Sequence, residues 1–192
     1  DNGLETLQEE YLFLHSKSLT VVNLSRNRLK SLPVTLFHHC KELSEIDLSD
    51  NGLETLPENL FEFSKKLTNL NLSRNRLITV TIEEYIMTSI TSLEQLNLSY
   101  NGITHISNLW LYCLCRTNER LESIDLSNNF LKTYDPIYDQ SRLYECHRLK
   151  RIKLSNNNIS HIRKEWISDL KELETLDLKC NNITSIPDYV LS

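Results

Sequence analysis

The residues able to do chemistry in this 192-residue chain are five cysteines, an adjacent histidine pair, five Asn-x-Ser/Thr triplets and a stripe of charged side chains. The cysteines are Cys40, Cys113, Cys115, Cys146 and Cys180. Cys113-Leu-Cys115 has no second pair at zinc-site spacing, so metal binding is not expected. Cys40 and Cys146 each stand three residues before a leucine, where Ile90 and Leu170 stand elsewhere. Both therefore read as small buried hydrophobes. One disulfide among Cys113, Cys115 and Cys146 is left open by their proximity in two successive long segments. His38-His39 reads as an exposed surface pair. No nucleophile–base constellation, Gly-rich phosphate loop or metal-ligand cluster is present, so neither catalysis nor a cofactor is expected.

The triplets begin at Asn23, Asn71, Asn97, Asn158 and Asn182. Each is an acceptor motif for N-glycosylation in a secreted chain. Three of them sit in the wording L/V-N-L-S-x-N, which recurs here for a reason of its own. Asn2, Asn27, Asn51, Asn75, Asn101, Asn129, Asn157 and Asn181 are spaced by 25, 24, 24, 26, 28, 28 and 24 residues. Seven of them close the phrase L-x-x-L/I/V-x-L-x-x-N-x-L/I, and Asn2 is the tail of an eighth copy. A period in this range marks a solenoid.

Within each copy the phrase reads as a short strand. Leu43, Ile46 and Leu48 are expected to point inward, and Ser44, Glu45, Asp47 and Ser49 outward. Successive copies then pair in parallel about 4.8 Å apart to give one concave sheet. The asparagine follows where the chain leaves the strand, and its amide can satisfy main-chain groups of the neighbouring turn. An apolar residue comes five positions later, and Phe37 and Phe61 come ten later. Pro33, Pro57 and Pro187 mark loose convex turns with little helix. The fold class is an α/β-type solenoid: a curved horseshoe with a parallel sheet of about seven short strands, spanning residues 1–192 as one domain.

The outward strand positions define a candidate concave ligand surface: Glu45, Asp47, Glu94, Tyr100, Glu122, Asp125, Lys150, Arg151 and Lys153. Its last part has two readings. Aligned copies stack Glu122, Lys150, Glu174 and Asp125, Lys153, Asp177, so each column runs acid, base, acid. Lys150, Arg151 and Lys153 form either a basic ligand site or the middle of a self-neutralised ladder, and the matched acids favour the ladder. Two insertions, Trp110 to Asn118 and Tyr134 to Arg142, fall off the strands and read as wider convex arcs. Trp110 and Trp166 share an offset from their asparagines, which points to packing.

Lys plus Arg is 21 and Asp plus Glu is 26, for a net charge of −5. That balance argues against nucleic acid as a partner. No apolar run reaches the length of a membrane span, so membrane attachment would come only through segments outside these residues. Both ends of the chain fall inside a repeat, which reads as a piece of a longer solenoid.

Leu29 to Phe37 and Leu53 to Phe61, with their L-P-x-x-L-F wording, resemble the extracellular, Phe-bearing leucine-rich repeat of Toll-type receptors. The run Tyr144 to Asn157, with Ile162 to Trp166 and Leu173 to Leu178, resembles an arthropod Toll ectodomain. Toll ectodomains also carry cysteine-rich caps, and this chain shows none. The resemblance implies the extracellular part of a single-pass receptor of innate immunity or development. It implies a Spätzle-like ligand, a dimeric cystine-knot cytokine, and receptor dimerisation. Two other readings stand beside it: a homophilic adhesion protein of the chaoptin kind, and a cytosolic repeat scaffold.

Overall fold

The computed structural model describes residues 2–7, 12–78, 89–106, 108–132, 146–162 and 170–185. Its framework is a seven-stranded parallel sheet in chain order. The strands are β1 (Val21–Asn23), β2 (Glu45–Asp47), β3 (Asn69–Asn71), β4 (Gln95–Asn97), β5 (Ser123–Asp125), β6 (Arg151–Lys153) and β7 (Thr175–Asp177). The register never slips: Val22, Ile46, Leu70, Leu96, Ile124, Ile152 and Leu176 lie side by side. Each strand is three residues long because only its central side chain is held inward between two outward ones. From β1 to β5 that central residue is at most 5% exposed. Full burial of each such side chain contributes roughly 1.5–3 kcal/mol.

Leu43, Ile46 and Leu48 are buried as the pattern requires. Ser49 is not outward as expected: Ser49, Ser73, Ser99 and Ser127 are all buried. The chain has already begun to turn beneath the strand end at this position. The turn is tight, and the residue before each ladder asparagine from Asn27 onward takes a left-handed conformation. Arg26, Asp50, Arg74, Tyr100, Asn128, Asn156 and Cys180 have φ between 52° and 56°. None is glycine, so each carries a strain of about 1 kcal/mol, least for the two asparagines.

On the convex side the chain returns in open turns. The N–H groups of Leu36 and Leu60 donate to the carbonyls of Pro33 and Pro57. Behind these turns Phe13, Phe37 and Phe61 stack nearly parallel, with centroids 6.3 and 6.0 Å apart. His38 and His39 are half-buried rather than exposed, because the His38 ring packs edge-on against Phe63.

The first insertion is not a plain arc. It folds as α1 (Asn108–Thr117), with Trp110, Leu114 and Cys115 buried against the core. Asn118 follows in the buried position held elsewhere by Cys40, Ser64 and Ile90. Its Nδ2 donates to the Leu114 carbonyl, and its Oδ1 accepts the Leu93 N–H at 2.8 Å. It therefore ties the helix end to the preceding segment. Cys115 forms a disulfide with Cys146 across 31 residues. Cys146 is thus buried but bonded, while Cys40 is a buried free thiol. The second insertion, Tyr134 to Arg142, and Trp166 lie outside the described residues.

Candidate functional site

The candidate surface for recognition is the concave sheet, and the asparagine ladder holds it in shape. Asn75 shows the pattern. Its Nδ2 donates to the Leu72 and Ser73 carbonyls of its own turn and to the Leu48 carbonyl of the preceding repeat. Its Oδ1 accepts the N–H of Leu53, also in the preceding repeat. Asn51, Asn101, Asn129, Asn157 and Asn181 repeat these bonds one copy at a time. Asn27 closes the first copy by accepting the N–H groups of Asn2 and Leu4. Asn2 is exposed and joins through its main chain.

A second device sits two residues into each turn. On β1, β3, β4 and β5 the last strand residue accepts both the N–H and the hydroxyl of the serine two positions on. The acceptors are Oδ1 of Asn23, Asn71, Asn97 and Asp125, at 2.7 to 3.1 Å. Asp47 and Asp177 accept the corresponding N–H groups on β2 and β7. This local turn accounts for the recurring N-L-S wording, because Asn and Asp share the required oxygen. It escaped the sequence reading, although the interchange of Asn and Asp in one column was the available signal. Only β6 breaks the rule: Lys153 has donors and no acceptor.

The triplets differ in setting. Asn23, Asn158 and Asn182 are exposed, whereas Asn71 and Asn97 are half-buried on the concave floor. They stand side by side in register on β3 and β4.

The expected charge ladder forms on one side only. Lys150 pairs with Glu122 at 3.0 Å and Lys153 with Asp125 at 3.2 Å. Arg151 approaches the same Glu122 at 4.0 Å. Among the described residues these lysine pairs run to β5, and none joins Glu174 or Asp177 of β7. The hydrogen bond and charge of Lys150, with Arg151 and Arg148 nearby, hold the Glu122 carboxyl below the usual glutamate range. Tyr100 does not belong to the strand rows. It lies in the turn after β4, where the Arg74 guanidinium covers its ring at 4.2 Å and also faces Asp50 at 3.8 Å.

Over β1 to β5 the sheet forms an open groove of about 370 Å³. It brings together the expected Glu45, Asp47 and Asp125 with Asn69, Asn71, Gln95 and Asn97. Asn69 and Gln95 were missed from the sequence because neutral amides carry no charge signal. Lys153 closes the groove at its far end. The described residues contain no group of three His, Cys, Asp or Glu side chains placed to hold a metal ion. No helix among them is long and apolar enough to cross a membrane.

The chain matches the leucine rich repeat family model over residues 17–77 and 147–192, and a second model of the same repeat over 89–105. No curated protein sequence matches it. Among solved structures it is similar to the glycosylated Toll–Spätzle complex of Drosophila, with 31% identity and a TM-score of 0.83. That match covers 94% of this chain and 24% of the other. The TLR13–ssRNA13 complex matches at 30% identity and a TM-score of 0.76, over 90% of this chain and 23% of that one. The LRR protein LIC12759 of Leptospira interrogans shares the fold, with a TM-score of 0.65 at 24% identity over 91% of this chain and 46% of that one. The chain therefore spans about a quarter of the Toll and TLR13 chains it resembles. Repeat, register and family model agree: the chain belongs to the leucine-rich repeat family.

Proposed function

We propose that this chain is part of the extracellular ligand-binding solenoid of a Toll-type receptor, with a dimeric cystine-knot cytokine as its ligand. The observation that carries the reading is the match to the Toll ectodomain over 94% of the chain. The Cys115–Cys146 bond supports an oxidising compartment and weighs against a cytosolic scaffold. Exposed acceptor triplets at Asn23, Asn158 and Asn182 fit the same compartment. TLR13 is solved with RNA, but the concave rows here carry Glu45, Asp47 and Glu94 on the first four strands and no Lys or Arg. A polyanion is disfavoured on such a surface, and a protein ligand is the better fit. Membrane anchoring and signalling belong to other parts of the receptor in this reading.

The test is binding of secreted protein to recombinant Drosophila Spätzle, with a thiol count and a glycosidase shift on the same material. Saturable binding, three free thiols and a mobility shift are expected. Five free thiols and no shift would remove the extracellular reading, and absence of binding would remove the cytokine.

A further inference from the structure

The concave groove is not a uniform polar surface. Register places Asn69 beside Gln95 and Asn71 beside Asn97, a block of four carboxamides on two adjacent strands. Asn71 and Asn97 have their Oδ1 atoms anchored by Ser73 and Ser99, so their amide groups are held in place. That leaves Nδ2 of each as a fixed donor facing the groove. Glu45 and Asp47 stand on one side of the block in the groove, and Glu94 precedes Gln95 just outside the groove lining. Asp47 uses Oδ1 for its own turn, which leaves Oδ2 for another partner. On the far side Lys153 occupies Asp125, and Lys150 occupies Glu122. The face is thus acidic and amide-rich over β2 to β4, and its charges are paired between β5 and β6.

We infer that the carboxamide block with Glu45, Asp47 and Glu94 is a docking surface for an extended, basic segment of a protein partner. A carboxamide both donates and accepts, which matches the alternating groups of an extended main chain. The two strand steps from β2 to β4 span about 10 Å, the length of about three extended residues. The carboxylates select Lys or Arg side chains in that segment. The inference rests on the reading of the concave sheet as the ligand surface and assigns it a chemistry. It also requires that Asn71 and Asn97 carry no glycan, since their amides form the floor of the groove. Asn23, Asn158 and Asn182 are then the modified sites.

The test uses 15N-labelled protein and two short, acetylated and amidated peptides. One alternates threonine with arginine, and the other alternates threonine with glutamate. The basic peptide is expected to shift the side-chain NH2 resonances of Asn69, Asn71, Gln95 and Asn97, less so at high salt. Glu45→Gln and Asp47→Asn should each weaken this binding roughly three- to fivefold. Asp47→Asn keeps the turn acceptor that Asn23, Asn71 and Asn97 supply, so folding is preserved. Glycopeptide mass spectrometry of secreted protein should find Asn71 and Asn97 bare.

A glycan on either residue, or binding untouched by both substitutions, would overturn the inference. If only the acidic peptide binds, and it shifts the backbone amides of Lys150, Arg151 and Lys153, the basic segment falls while the concave ligand surface survives. If neither peptide moves any concave resonance, both readings fall.

Discussion

Replacing Asn75 with alanine removes four hydrogen bonds, but the cost is set by what each partner has left. The Leu48 carbonyl keeps a donor in Asn51 Nδ2, and the Leu72 carbonyl keeps one in Asn101 Nδ2. The Ser73 carbonyl keeps the N–H of Asp50. The Leu53 N–H has no such substitute, and Leu53 is fully buried. One orphaned buried donor costs roughly 1–3 kcal/mol, and the weakened carbonyls and small void bring the total to about 2–4 kcal/mol. Asn71→Ala removes one acceptor from a half-buried turn and should cost about 1 kcal/mol. Asn71→Asp should be near neutral, because Asp47 and Asp125 already serve in that column. Asn75→Asp should not be, because it keeps the acceptor and loses all three donations. Urea unfolding of the four variants reads the order directly. Equal losses for Asn75→Ala and Asn71→Ala, or a harmless Asn75→Asp, would refute the partner-by-partner reasoning.

Reduction of the Cys115–Cys146 bond, which spans 31 residues, should lower stability by roughly 3–4 kcal/mol, and Cys115→Ser should make the melting curve insensitive to reductant. Phe37→Ala breaks the Phe13–Phe37–Phe61 stack at its centre and should cost about 3–5 kcal/mol by denaturant titration. Glu122 is depressed in the folded state, so its contribution is present at neutral pH. It is lost as pH falls below the ordinary glutamate range and through the folded value. Carboxyl NMR titration should therefore show Glu122 moving upward in Lys150→Met, and no movement would mean the pair is not formed in solution.

The framework was legible because a single period repeats the same demand on the same side chain. Leu43, Ile46 and Leu48 declare their burial by spacing alone, and Asn75 declares its turn by recurrence. Ser49 was misread because strand alternation was carried two residues past the strand, into a turn governed by the Asp47 side chain. The segment from Trp110 to Asn118 was read as an arc because its helix lies where the period is broken. The charge columns were correctly aligned, but sequence order does not say to which neighbour a lysine leans. Lys150 and Lys153 both lean back to β5. The carboxamide block was invisible for a related reason: Asn69 and Gln95 become a site only when the register sets them side by side.

The ladder gives the stack a direction in time as well as in space. Each asparagine accepts an N–H from the repeat before it, 22 to 26 residues earlier in the chain. During synthesis a repeat therefore leaves the ribosome unfinished and is closed only by its successor. At about 5–20 residues per second, that delay is on the order of seconds for every turn of the solenoid. A growing chain always ends in one open turn, which is the point where a chaperone or an oxidoreductase completing Cys115–Cys146 has its opportunity. A pause in translation just before a ladder asparagine would prolong that exposure without altering a single residue.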